Sequence, residues 1–252
     1  MASDTTILDF DRVQFSYERH RPLIRDMSFF VGNGEFIGLL GANGSGKSTV
    51  LKIAGGILTA FEGRVNLWGR ALGGYRNRDR AKLLSYLPQI LDMNIPFTVE
   101  EIVSMGLYPY DIRPSLTEDE ALGMVGLREK AGEPIRNLSG GERRRVYIAM
   151  TLLQGAGLVL MDEPLANLDI KYQVELLRLL KALRNERGIT VVMALHDIHM
   201  AMQFERIILI KEGRIIGTGS PQVVLSREAL REAFDVDAEV RIDEAGGTYL
   251  RC

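Results

Sequence analysis

The 252-residue chain has a single cysteine, Cys252, so no disulfide can close within it and a reducing compartment is the simpler expectation. Its isolated position also makes it a poor candidate for a catalytic thiol. Long hydrophobic runs are missing too. None approaches the ~20 apolar residues of a bilayer-spanning helix, and residues 1–6 lack the basic and apolar segments of a secretory leader. A soluble, cytoplasmic protein is expected. Charge of one sign is scarce: 31 Lys plus Arg stand against 33 Asp plus Glu, a net charge of -2, which removes the broad field that draws nucleic acid or anionic lipid. Glycine pairs recur at 55–56, 73–74, 140–141 and 246–247, but their surroundings differ, which excludes a tandem-repeat architecture. What remains is 46% hydrophobic and 25% charged, ample for a core in one large or two small units.

The chain begins with period-two patterning. Leu8 and Phe10, then Val13, Phe15 and Tyr17, and then Met27, Phe29 and Val31 before Gly32-Asn33-Gly34, predict antiparallel strands. Residues 36–40 form a continuous apolar run that leads through a glycine-rich loop into a helix predicted over 50–57. Further buried-strand runs lie at 158–161, 190–194 and 206–211. Between the first two, Ile170, Val174, Leu177, Leu180 and Leu183 keep a helical period that stops at Arg187-Gly188. Strands alternating with helices predict a parallel sheet covered on both faces. Residues 91–149 read differently. Thr98 with Glu101, and Thr117 with Glu120, have the spacing of helix-starting capping boxes and predict a helical insert. Ser220-Pro221 predicts a short helix, and 240–242 with 248–250 around Gly246-Gly247 a terminal hairpin. The expected fold class is α/β: a parallel-sheet core over 1–90 and 150–252 that includes an N-terminal antiparallel β subdomain, interrupted by a helical subdomain over 91–149.

Three motifs carry chemistry. Gly41-Ala42-Asn43-Gly44-Ser45-Gly46-Lys47-Ser48-Thr49 follows a predicted strand and opens a helix, the context in which backbone N–H groups wrap phosphate oxygens. Lys47 is then placed to reach the outer phosphates, and the Ser48 hydroxyl to ligate Mg²⁺. Residues 158–163 end a buried strand on Asp162 and Glu163, adjacent carboxylates that are costly to bury without a cation or proton. Asp162 is expected to hold Mg²⁺ through a water and Glu163 to polarise an attacking water. Leu138-Ser139-Gly140-Gly141-Glu142 is itself a capping box, yet it spends two glycines where helix propensity loses ~1 kcal/mol each. An anion approaching Ser139, Gly140 and Gly141 is one reading. On the residues alone, a plain helix cap followed by a solvated Arg143-Arg144-Arg145 face is the other.

Together these motifs resemble the nucleotide-binding subunit of ABC transporters, in consistent order from about Ile7 to about Arg231: residues 41–49 its Walker A, 158–163 its Walker B and 138–142 its LSGGE-type signature. The resemblance implies a P-loop NTPase (RecA-like) core, ATP as substrate and Mg²⁺ as cofactor. It implies that Tyr17 stacks on adenine, that Gln89 links the metal to the helical insert and that His196 faces the γ-phosphate. Asn167-Leu168-Asp169 resembles the loop that crosses the dimer interface, although Leu165 and Ala166 depart from the commoner Thr and Ser. From residues alone, Tyr17 also reads as a strand-end core residue and Gln89 as part of a turn. His20 and His199 match no such position and read as surface residues; Met193, Met200 and Met202 read as packing.

The resemblance further implies a C2 pair sandwiching two ATP, with Ser139, Gly140 and Gly141 of one copy facing the phosphate held by Lys47 of the other. A chain that cannot cross a membrane then needs permease subunits, and with them a substrate-binding protein, at the cytoplasmic membrane face. Residues 95–103, the stretch Gly106-Leu107-Tyr108-Pro109-Tyr110, Leu168-Asp169-Ile170 and Gln173 are similar to importers of iron-siderophore, haem or cobalamin, and less so to zinc and manganese importers. Met105, Leu107, Tyr108 and Tyr110 are expected either to be exposed as a permease groove or to pack the insert. No added regulatory domain is expected. A soluble ABC ATPase of DNA repair or translation is disfavoured by the absence of long insertions and of a basic stripe. A P-loop kinase would leave residues 139–142 unexplained.

Overall fold

In the first strand, β1 (Thr6–Phe15), the buried side changes phase: Leu8 and Phe10 are buried, then Val13 and Phe15. The register with β2 (Ile24–Gly32), its antiparallel partner, shifts between Phe10 and Val13, where Arg12 takes φ 47. One extra residue at this bulge turns the later half of the strand over and keeps both halves facing the core. Tyr17 departs from the predicted alternation: it lies beyond the strand end and is 61% exposed.

The computed structural model describes residues 5–18, 21–89, 96–112, 114–166, 168–242 and 248–251. The chain forms two units, Met1–Gly74 with Val192–Cys252, and Tyr75–Val191. In the first unit β3 (Phe36–Leu40) is buried at every position and feeds helix α1 (Lys47–Ala54). That helix starts three residues before its predicted position, because left-handed Gly46 releases the chain directly into a helical turn. β4 (Glu62–Leu67) and β5 (Arg70–Ala71) complete the antiparallel sheet in the order β2-β1-β4-β5.

The second unit contains α2 (Asn77–Leu83), β6 (Leu84–Leu87), α3 (Val99–Ser104), α4 (Glu118–Met124), α5 (Gly140–Leu153), β7 (Leu158–Asp162) and α6 (Ile170–Arg187). All three expected capping boxes form, at Thr98, Thr117 and Ser139, each with reciprocal bonds between cap and glutamate. Each cap contributes ~1 kcal/mol to a short helix that could not persist alone. Packing supplies the rest: α3 and α4 both rest on α5, burying Val99, Ile102, Val103, Ala121 and Leu122. β6 and β7 pair in parallel from Leu84 opposite Leu158 to Leu87 opposite Met161. Helix α6 ends on left-handed Gly188 as the sequence predicts. Its buried face, however, is Leu176, Leu177, Leu180 and Leu183, while Ile170 is 77% and Val174 37% exposed.

Strand β8 (Thr190–Leu195) returns the chain to the first unit, followed by α7 (Ile198–Ala201), β9 (Arg206–Lys211), β10 (Arg214–Gly219), α8 (Pro221–Val224) and α9 (Arg227–Phe234). β9 lies parallel to β3 and antiparallel to β10. The terminal hairpin forms as β11 (Glu239–Ile242) and β12 (Thr248–Arg251); Gly246, Gly247 and Cys252 lie outside the described residues. Among the described residues no helix is long and apolar enough to cross a membrane.

Candidate functional site

In the first unit, the loop after β3 is fixed by close backbone approach. A Cβ at Gly41 would lie 2.3 Å from the Ile210 carbonyl of β9, and Gly44 and Gly46 hold φ 78 and 108. The β9–β10 turn braces the loop from below: Gly213 N donates to Ser45 O at 2.9 Å. Lys47 opens α1, is buried, and donates from Nζ to the Gly41 and Ala42 carbonyls at 2.8 and 3.2 Å. The ammonium therefore sits inside the curl of the loop. Asn43 and Gly44 are exposed, Ser48 is half-buried and Thr49 buried; Ser45 Oγ is buried with no hydrogen-bond partner among the described residues. The first turn of α1 contains no acidic residue, so the helix itself places no carboxylate at its positive end. A cation beside a helix N-terminus is an arrangement that can receive phosphate oxygens.

Beside this loop lies a pocket of about 530 Å³, lined by Tyr17, Arg21, Arg25, Gly44 and Glu212 among others. The Tyr17 ring meets Phe15 edge-on at 4.8 Å, and its hydroxyl lies 3.5 Å from Thr49 Oγ1. An exposed aromatic next to a phosphate loop can receive a flat base, as a strand-end core residue could not. His196 follows β8 and is exposed. His199 is exposed as expected, Met193 is buried, and Met200 and Met202 are half-buried; His20 lies outside the described residues.

In the second unit, Asp162 ends β7 and is 1% exposed, with the Tyr86 hydroxyl 3.5 Å from Oδ2. Glu163, the next residue, holds φ 47, a left-handed conformation that costs a non-glycine residue about 1–3 kcal/mol. It turns the carboxylate out of the strand direction, and Gln89 Nε2 donates to Glu163 Oε2 at 3.0 Å. Gln89 and Glu163, far apart in sequence, thus meet side chain to side chain. With Nε2 committed to Glu163, the other end of the Gln89 amide offers an oxygen.

Arg144 was not anticipated. Of the two readings of this segment, the one with a solvated Arg143-Arg144-Arg145 face does not fit, since Arg144 is 6% and Arg145 8% exposed. Arg144 Nη1 donates to the Pro88 and Gln89 carbonyls at 3.0 and 2.7 Å, and Nη2 to those of Asp162 and Glu163, both at 2.8 Å; Nε lies 3.4 Å from Pro164 O. Arg145 donates to Val125 O at 2.7 Å and covers the Tyr172 ring at 3.9 Å. The missed signal is helical spacing: Arg144 lies three, four and seven residues before Tyr147, Ile148 and Thr151, all buried.

At the start of α5, Ser139 Oγ accepts from Glu142 N at 3.3 Å and Glu142 Oε2 accepts from Ser139 N at 2.9 Å. Lys130 Nζ lies 2.8 Å from Glu142 Oε1, and this contact first, then the Ser139 amide, holds the Glu142 carboxyl down to about 2. Ser139 and Gly140 are exposed, and a Cβ at Gly140 would meet no atom within 4 Å among the described residues. A carboxyl lowered on folding stabilises the fold above its ordinary pKa, and that contribution is lost as pH falls towards about 2. Lys130→Met should therefore move the Glu142 midpoint up towards the ordinary ~4.3, as read by NMR titration of its side-chain carbon. An unmoved midpoint would remove Lys130 as the cause.

After β7, Gln173 Nε2 donates to the Leu165 and Leu168 carbonyls at 3.1 and 3.0 Å, pinning the turn from which Asp169, exposed, caps α6 without a side-chain bond. Asn167 lies outside the described residues. Of the two alternatives for Met105, Leu107, Tyr108 and Tyr110, exposed groove or packing of the insert, the structure divides the four residues. Leu107 and Tyr110 are half-buried, and the Tyr110 hydroxyl donates to Gln154 O at 2.8 Å, whereas Met105 and Tyr108 are 43% and 83% exposed. For a metal, Ser48 in the first unit offers a hydroxyl oxygen, and Gln89 and Asp162 in the second offer an amide and a carboxylate oxygen, donor types that suit Mg²⁺. Among the described residues no group of three or more His, Cys, Asp or Glu could hold a metal ion. Oxygen donors this few suit an ion that takes most of its ligands from substrate phosphates and water.

A sequence profile of the ABC transporter family matches residues 24–166. The iron(3+)-hydroxamate import ATP-binding protein FhuC of Bacillus subtilis is 38% identical over 231 residues, 88% of this chain and 86% of its own length. The hemin import ATP-binding protein HmuV of Rhodopseudomonas palustris is 38% identical over 240 residues, 90% of this chain and 88% of its own. Among solved structures, a dimeric post-hydrolysis state of the ATP-binding cassette MJ0796 bound to ADP and Pi matches with a TM-score of 0.76 at 28% identity, covering 85% of this chain and 99% of that one. With a profile match over more than half its length and relatives of this identity and coverage, the chain belongs to the ABC transporter family as an ATP-hydrolysing cassette.

Proposed function

We propose that two copies of this chain close around two ATP molecules and power a membrane importer of iron chelates, of the siderophore or haem type. Each copy supplies the phosphate receptor of Lys47, Ser48 and the α1 N-terminus, with Asn43, Gly44, Ser45, Gly46 and Thr49 shaping it, and Tyr17 stacks on the base. Ser48, Gln89 and Asp162 would hold Mg²⁺, which would supply the positive charge that offsets charge developing on the phosphate oxygens. Glu163, held by Gln89, takes the proton of the attacking water, and His196 bonds the terminal phosphate. Ser139, Gly140 and Gly141 of the second copy, with Asp169 at the shared face, complete the enclosure. Hydrolysis removes the contacts that favour the closed pair, and the pair reopens.

The observation that carries this reading is the open backbone at Gly140. No contact within the described residues requires glycine at the first helical position after the Ser139 cap, which leaves this exposed backbone open to approach by the second copy's nucleotide in the proposed pair. The import cargo rests on the names of the two relatives, and a chain of this kind then works through permease subunits at the cytoplasmic membrane face, fed by a substrate-binding protein. Capture from detergent-solubilised membranes should recover an integral-membrane partner through the Met105 and Tyr108 surface, and the purified complex should hydrolyse ATP faster than the cassette alone. Recovery of a phosphorylated small-molecule product with no membrane partner would overturn it.

A further inference from the structure

We infer that Arg144 is a positioning residue for hydrolysis, a guanidinium that locks the carrier strands of Glu163 and Gln89 into one rigid piece and ties that piece to α5. The inference rests on the catalytic reading of Glu163 given above. Five carbonyls from two separate segments, Pro88 and Gln89 on one side and Asp162, Glu163 and Pro164 on the other, converge on this one side chain. Arginine suits this role because it is planar, permanently charged and carries five N–H donors in fixed directions. Carbonyl oxygens at segment ends are otherwise orphaned acceptors, and a buried cation shared among them replaces the water that would loosen the turn.

Two features make this more than packing. First, Glu163 sits at φ 47, a conformation its side chain does not favour, and Arg144 Nη2 holds the carbonyls on both sides of that residue's N–Cα bond. Removal of the clamp frees the backbone to relax, and the carboxylate leaves its place beside Gln89. Second, Arg144 stands on the first turns of α5, the helix whose N-terminus is Ser139 and Gly140. In the paired state this end faces the other copy's nucleotide, while Glu163 serves its own. A tilt of α5 caused by occupancy of one site is then passed to the base of the other, which couples the two sites through a single side chain.

The test uses the full chain, purified as wild type, Arg144→Met and Arg144→Lys. Loss of the clamp should lower kcat by about 10²-fold, the scale of an ångström of misplacement, with KM for ATP changed less than about threefold and ATP-driven pairing retained. Lysine keeps the charge but offers three donors from one point, so Arg144→Lys should lie between the two. The Hill coefficient for ATP should fall towards 1 in both variants. A cycle with Glu163→Gln isolates the route: once the base is gone, Arg144→Met should cost the residual rate less than about threefold. An equal loss in both backgrounds, wild-type kcat in both Arg144 variants, or a failure of both variants to fold would each overturn the inference. Failure of the function itself is a different result, namely wild-type chain that does not hydrolyse ATP.

Discussion

Glu163→Gln is expected to lower ATP turnover by about 10³-fold while leaving ATP binding intact and accumulating closed pairs. The size follows from what general-base catalysis ordinarily contributes. The structure makes the substitution unusually clean, because Gln89 donates to Glu163 Oε2 and a glutamine carbonyl oxygen at the same place accepts that bond as well. Position is therefore preserved, and the loss reports the missing proton acceptor. Equilibrium nucleotide binding, single-turnover hydrolysis and light scattering in ATP measure the three quantities separately. Hydrolysis at the wild-type rate would remove Glu163 from the mechanism.

Ser139→Arg should leave the nucleotide affinity of the single chain within about twofold, since distant sites act independently, and should depress turnover at least about 10²-fold, as loss of a donor to transition-state charge does. The substitution does two things. It removes the oxygen that caps Glu142 N, worth ~1 kcal/mol of helix stability, and it places a long side chain at an exposed helix start, the one that the proposed pair turns towards the second copy. Ser139→Ala separates these effects, because it loses the cap without the bulk and should lose much less turnover. An unchanged rate in Ser139→Arg would defeat the shared site.

The parts of the fold written in local chemistry were readable from the residues alone. Thr98, Thr117 and Ser139 each announce a helix start that the structure contains, because a capping box is closed by atoms three residues apart. Gly188 ends α6 where a left-handed residue is needed, and the glycine-rich loop lies between the expected strand and helix. Where the reading fell short, the cause lies far away in the chain. Arg144 sits in a run of three arginines and looks solvated, yet its acceptors are 18 to 56 residues distant, and carbonyls leave no mark in a sequence. The contact between Gln89 and Glu163 spans 74 residues and is equally silent. Tyr17 shares the parity of Val13 and Phe15, so period-two reading keeps it on the buried side, but the strand ends at Phe15 and the ring lies out beside Gly44. Ile170 and Val174 fit a helical period but lie before the turn of α6 that meets the core, so periodicity overstated its apolar face.

In the proposed mechanism one polypeptide alone lacks part of what hydrolysis needs. Turnover per chain, measured against chain concentration with the oligomeric state followed in the same samples, tests it most directly. The rate should vanish with dilution, rise with the fraction paired and reach a plateau when pairing is complete. A constant rate per chain down to concentrations where only monomer is present would contradict it.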